Sequence, residues 1–276
     1  MNRIVYIFMV LSIGVAVILT SGYGFEWKFL LVTLIAFCFE FVNGATGMGF
    51  GTLSAHTLLW LNFNPVMIVQ NILISELITG FTASHFHQED KNIDFFTSRN
   101  KTATAMITIG CILGVFVGVP TAMQMQKDNL IAATGAITIL CGIFIFWMLN
   151  KVREYGNKKM LGLSIVAAFN KSLTGGGFGA LLTSGQVISG VEGKNAAAIT
   201  AFAKGITGGF GIALYIARGS TLDTKLLVAM LIGSLTSVPL ATGFIKRFDE
   251  KKVKIIIAVV TIFMGILTLL KGLHII

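Results

Sequence analysis

Apolar runs of about twenty residues, parted by short polar stretches, fill most of the chain. Those at 4–20, 65–84, 102–123, 130–149, 195–217, 226–245 and 255–270 each approach the ~20 residues a helix needs to cross ~30 Å of hydrocarbon. Two runs do not fit. Stretches 29–61 and 160–189 are too long for one span, and glycine interrupts both: Asn43-Gly-Ala-Thr-Gly-Met-Gly-Phe-Gly51 in the first, Asn170-Lys-Ser-Leu-Thr-Gly-Gly-Gly-Phe-Gly179 in the second. Each glycine costs about 1 kcal/mol against Ala in a helix interior, so neither run continues as a helix. At membrane depth, broken backbone survives only where it is buried in protein or lines a cavity. The pattern predicts a re-entrant hairpin at each run, with arms of about 13–15 residues, each too short to cross.

The two runs are copies. Thr46, Gly47, Gly49, Phe50, Gly51 and Leu53 recur as Thr174, Gly175, Gly177, Phe178, Gly179 and Leu181, each 128 positions on. Ile78, Thr79 and Gly80 recur at the same offset as Ile206, Thr207 and Gly208. Gly110, Thr138 and Gly142 recur 123 positions on as Gly233, Thr261 and Gly265, because the loop after His85 is longer in the first copy. Similarity at a fixed period is how transporter repeats show in sequence. The chain reads as an all-α polytopic membrane protein in one transmembrane domain: an N-terminal span (1–27), repeat 1 (28–150) and repeat 2 (151–276). Each repeat is a glycine-tipped re-entrant hairpin plus three transmembrane helices.

Charge then sets the topology. With hairpins that turn back, each repeat has three true spans and the repeats are inverted. An inside N-terminus then places fourteen Lys and Arg in inside loops, against five outside (Lys28, Lys127, Arg218, Lys225 and Lys271). With glycine runs that cross, the best split is eleven against eight. Basic residues favour the cytoplasmic side, so the inverted arrangement is preferred, with Phe29 and Leu61 both outside. Composition agrees: 55% of the 276 residues are hydrophobic and 12% charged, about half the charged share of a soluble domain. The net charge of +9 therefore belongs to topology, and nucleic acid is not an expected partner. Cys38, Cys111 and Cys141 lie in apolar stretches without metal or redox spacing. Gly110, Gly114 and Gly118 form a small-residue stripe suited to close helix packing.

Four charges fall inside apolar segments: Glu40, Glu76, Lys171 and Lys204. Intramembrane charges are functional hypotheses by default. Glu76 and Lys204 are repeat mates and are expected to face one another across a pseudo-two-fold axis. Hairpins entering from opposite faces bring their tips together, where the second arm's free N–H groups make an anion site. The expected substrate-binding residues are Asn43, Thr46, Gly47, Gly49 and Gly51 from repeat 1, with Lys171, Thr174, Gly175, Gly176, Gly177, Gly179 and Lys204 from repeat 2. Lys171 is expected to take the anion as its partner. The candidates for carrying a coupled proton are Glu76, beside the site, then Glu40, expected to reach water, and His85 at a helix end. Tight packing of hairpins, or a merely structural Glu76–Lys204 pair, are the alternatives for these features. No HExxH, GxSxG or Walker pattern occurs, so enzyme chemistry, a metal and a cofactor are not expected.

The paired glycine openings, the Pro65 start of the next span, the Ser75-Glu76 stretch, and the segment ending at His85 before Asn92-Ile-Asp94 resemble the sulfite exporter TauE/SafE family, also called the toluenesulfonate uptake permease family. The resemblance covers nearly the whole chain. Met48 departs from the usual run of three glycines. The resemblance implies a multi-pass protein of a prokaryotic cell membrane that carries a small sulfur-containing or organic anion, such as sulfite or a sulfonate, by alternating access, as an exporter. Its partners are the anion and the bilayer, with proton coupling and a homodimer left open. An anion channel and a non-transporting component of an assembly system are the alternatives.

Overall fold

The computed structural model describes residues 3–20, 27–148, 157–244 and 250–275. These form eleven helices: α1 Arg3–Thr20, α2 Trp27–Thr46, α3 Phe50–Trp60, α4 Pro65–Glu89, α5 Ser98–Gln124, α6 Lys127–Met148, α7 Asn157–Thr174, α8 Phe178–Ile188, α9 Gly193–Ala217, α10 Thr224–Phe244 and α11 Glu250–Gly272. No strand occurs among the described residues. Much of the two basic loops used for the charge count, 150–159 and 246–254, lies outside the described residues.

Seven helices are long and apolar enough to cross a membrane: α2, α4, α5, α6, α9, α10 and α11. This is not quite the expected set. In α1 the described apolar stretch, Arg3–Ala16, is short for a span. In the first hairpin the arms are unequal, 20 residues in α2 and 11 in α3, where arms of about 13–15 were expected. The reason is local. Gly44 stays helical, and the break comes only at Gly47 and Gly49, whose φ of 77° and 119° are open to glycine and costly for other residues. The second break repeats it at Gly175 and Gly177, φ 78° and 75°, between arms of 18 and 11 residues.

After each break the chain turns back. Lys28 and Phe29, at the start of α2, line one cavity of about 380 Å³ together with Leu61, Asn62 and Phe63, just past the end of α3. In the second hairpin Gly185, late in α8, lies against Leu163, early in α7. Asn64 then caps α4, its Oδ1 accepting from Val66 N at 2.9 Å, and Pro65 takes the first turn, where its missing N–H is not needed.

The main helix pairs are kept when a helix of one repeat is exchanged for its mate in the other. α2 packs on α10, and its mate α7 packs on α5, mate of α10; α4 packs on α9, and α6 on α11. Glycines make the approach close. A Cβ at Gly110, Gly114 or Gly118 of α5 would press on α7, meeting Leu161 O at 2.8 Å, Phe169 N at 2.8 Å or Phe169 O at 2.7 Å. This is the close packing the stripe suggested. The mates α4 and α9 run antiparallel. A Cβ on Gly80 would come within 2.6 Å of both Ala201 O and Gly205 N, while one on Gly208 would meet Leu73 O and Leu77 N. α6 and α11 are also antiparallel, with Gly135 against Leu269 and Gly142 against Ile262.

The basic residues separate to two ends. Lys28 and Lys225 share the 380 Å³ cavity, and Lys271 Nζ donates to Leu59 O at 2.7 Å beside it. At the other end of α4, Arg3 pairs with Asp90, and Lys91 and Lys194 line a second cavity of about 300 Å³.

Candidate functional site

The two glycine breaks touch. A Cβ on Gly51 would run into Gly175 O, and one on Gly179 into Gly47 O and Met48 Cα. These two glycine contacts are mates of one another. Thr52 Oγ1 accepts from Gly177 N at 2.8 Å, and Thr183 Oγ1 donates to Gly47 O at 3.2 Å. Neither Thr52 nor Thr183 was singled out in the sequence. The signal available was a hydroxyl one residue past Gly51, in a helix otherwise apolar at its start. Thr46 and Thr174, expected to offer hydroxyls to a substrate, are turned into their own breaks. Thr46 Oγ1 donates to Val42 O at 2.7 Å, and Thr174 Oγ1 to Asn170 O at 2.9 Å and accepts from Gly176 N at 3.1 Å.

Beside the breaks lies a cluster of charges, each 0–3% exposed: Glu40, Glu76, Lys171 and Lys204. Glu76, from the middle of α4, meets Lys171 Nζ at 2.5 Å and Lys204 Nζ at 3.7 Å. Lys204 Nζ donates to Asn43 Oδ1. Asn43 Nδ2 in turn donates to both oxygens of Glu40, at 3.0 and 3.1 Å. Lys171 Nζ also donates to Lys204 O at 3.4 Å and sits 4.8 Å from the centroid of the Phe178 ring, a favourable cation–π placement.

Two expectations are corrected by this geometry, and a third residue has a contact that was not expected. Lys171, expected to take the anion, contacts Glu76, because α4 passes directly beside the end of α7. Glu40 does not reach water, since the longer α2 carries it to 1% exposure. His85 is not at the site: its side chain is exposed at the end of α4 and pairs with Glu89 at 3.2 Å. The Glu76–Lys204 contact between mates is present, but as the longer of the two that Glu76 makes.

One relation organises the cluster. Asn43 and Lys171 are mates at 128, as are Glu76 and Lys204. The Glu76–Lys171 contact and the Lys204–Asn43 contact are thus one interaction written twice, once as carboxylate to ammonium and once as amide to ammonium. Glu40 has no such echo, because its mate is Ala168. With all four groups ionised, two acids and two bases leave the cluster neutral, which is what a low-dielectric interior requires of buried charge.

The chain is thus a helical bundle of apolar spans, broken twice by glycine around buried paired charges. The model of the sulfite exporter TauE/SafE family matches residues 30–268 of the chain, and the chain belongs to that family. It is a multi-pass membrane protein of a transporter family rather than an enzyme. Comparison with curated proteins and with solved structures gives no match.

Proposed function

We propose that the chain is a secondary carrier that exports a small anion, such as sulfite or a sulfonate, across a prokaryotic cell membrane by alternating access of two inverted repeats. The observation that carries this reading is the pair of lysines, Lys171 and Lys204, buried where the two helix breaks touch. Buried cations beside glycine-broken backbone supply both the charge and the close backbone approach that a small anion needs. The inverted arrangement is supported by the antiparallel packing of α4 on α9 and of α6 on α11. Two groups of residues support hairpins that open to one side: Lys28, Leu61 and Lys225 gather at one end, with Arg3, Lys91 and Lys194 at the other. The burial of all four charges favours a carrier over an open channel, since a channel filter is wet.

The test is flux of radiolabelled sulfite and of methanesulfonate in liposomes holding the purified protein. Saturable uptake with counterflow is expected, and Lys204→Met is expected to abolish it. Flux that does not saturate points to a channel. Absence of flux for every small anion tried would place the protein among non-transporting membrane components.

A further inference from the structure

The cluster fixes what must travel with the anion. Resting on the carrier reading above, we propose that Glu40 is the proton site of the carrier, and that one proton accompanies each monovalent anion carried, so that transport of such an anion is electroneutral.

The argument is one of charge. The closed cluster is neutral with Glu40 and Glu76 ionised and Lys171 and Lys204 protonated. A monovalent anion added to it leaves one uncompensated negative charge buried from water. One proton on either acid restores neutrality. The two acids differ in what a proton would disrupt. Glu76 is touched by two ammonium groups, at 2.5 and 3.7 Å, and protonating it breaks both contacts. Glu40, 1% exposed, has the Asn43 amide as its hydrogen-bond partner and, among the described residues, no cation in contact. A proton there breaks no ion pair, and the protonated acid still accepts from Asn43 Nδ2.

The surplus positive charge then rests on Lys204, which is held mainly by a neutral group, Asn43 Oδ1. The anion replaces that oxygen at Nζ, while Glu76 and Lys171 stay paired. Asn43 links the two events, since its amide nitrogen reads the state of Glu40 and its oxygen occupies Lys204. The other charged groups around Glu40 are Lys204 from α9, Glu76 from α4 and Lys171 from α7. α10, packed along α2, carries only Lys225, at the far end beside Lys28. α3 carries His56, whose Nδ1 lies 2.6 Å from Thr52 O in its own helix.

Electroneutral transport means that export draws on the anion's own gradient, runs against any proton gradient directed inward, and gains nothing from the membrane potential. Methanesulfonate is the probe, because it remains a monoanion at all working pH and any proton that moves belongs to the protein. Liposomes are clamped with potassium and valinomycin. For the wild type, one pH unit, acid outside, is expected to accumulate the anion about tenfold, and a 100 mV potential to change nothing. Glu40→Gln fixes the acid in its neutral form, so the two responses are expected to exchange: no response to pH, and about fortyfold accumulation for 100 mV. Glu76→Gln is expected to lower the flux and to leave the flux that remains responsive to pH.

Wild-type accumulation that follows voltage and ignores pH overturns the coupling and leaves the carrier standing. A pH response kept in Glu40→Gln, or lost in Glu76→Gln alone, overturns the assignment to Glu40. Saturable flux absent from the wild type for both methanesulfonate and sulfite overturns the carrier reading and this inference with it. Should Glu40→Gln fail to elute as a folded species, the wild-type clamp and Glu40→Asp, which keeps the acid but withdraws it from Asn43, still decide.

Discussion

Replacing Lys171 by Met tests whether Glu76 and Lys171 are partners in the folded protein. Met keeps most of the side chain's length and its contact with the Phe178 ring, and removes the charge. The carboxylate of Glu76, 2% exposed, then loses a contact of 2.5 Å. Removing one partner of a buried ion pair costs about 3–5 kcal/mol, chiefly because a charge is left uncompensated. Lys204 remains 3.7 Å from the same carboxylate, so the expected loss is at the low end, about 3 kcal/mol. Lys171→Met combined with Glu76→Gln removes the orphaned charge and should recover at least about 1 kcal/mol of that loss. Equilibrium unfolding in mixed micelles, followed by loss of helicity as SDS is raised, reads both numbers. A single variant within about 0.5 kcal/mol of wild type, the scatter of an inconsequential substitution, together with a double variant no better, refutes the pairing. Lys171 would then be free for substrate, as the sequence suggested.

Other outcomes follow from the same contacts. Gly51→Val should cost about 1–3 kcal/mol and most of the transport, because its side chain meets Gly175 O; wild-type flux in that variant would show that the breaks do not touch. Gly162→Ala, where an added Cβ meets nothing within 4 Å, should be neutral or stabilise by up to about 1 kcal/mol, and a large loss in the same unfolding assay would contradict the packing. Asn64→Ala removes the cap of α4 and should lower stability by about 1 kcal/mol, with no change read as a cap that does not form. In a Cys38→Ser background, since Cys38 is exposed, Asn62→Cys and Lys225→Cys should label with an impermeant thiol reagent from one face, and Lys91→Cys and Lys194→Cys from the other. Mixed labelling within either pair contradicts the two-ended arrangement.

The sequence made the breaks legible because glycine runs inside apolar stretches have few physical readings, and the offset of 128 made them a pair. It also marked all four buried charges, since each stands out in an apolar window. It did not show who pairs with whom. An offset relates mates, such as Glu76 and Lys204, but the shorter contacts join non-mates: Glu76 with Lys171, and Lys204 with Asn43. Those depend on how α4 and α9 lie against the ends of α7 and α2, which periodicity does not encode. The arm lengths are hidden for a similar reason. Gly44 and Gly47 look alike in sequence, and only the backbone shows that one stays helical while the other takes a positive φ. Burial of Glu40 is hidden with them, since a longer α2 carries the acid deeper.

The antiparallel contact of α4 with α9 has a further consequence. Gly80 rests on the backbone around 201–205, and its mate Gly208 on the backbone around 73–77, so a single surface is used against itself, as in an isologous dimer. In a dimer of identical halves, whatever stands on the axis meets its own copy. Glu76 would meet a second Glu76, or Lys204 a second Lys204, and two like charges buried a few ångströms apart cannot both stay ionised. Joining the halves in one polypeptide lifts that restriction. One half keeps the acid and the other the base, and a further acid, Glu40, stands where the opposite half has only Ala168. A bundle whose main helix pairs repeat thereby holds a centre that is polar in one direction only.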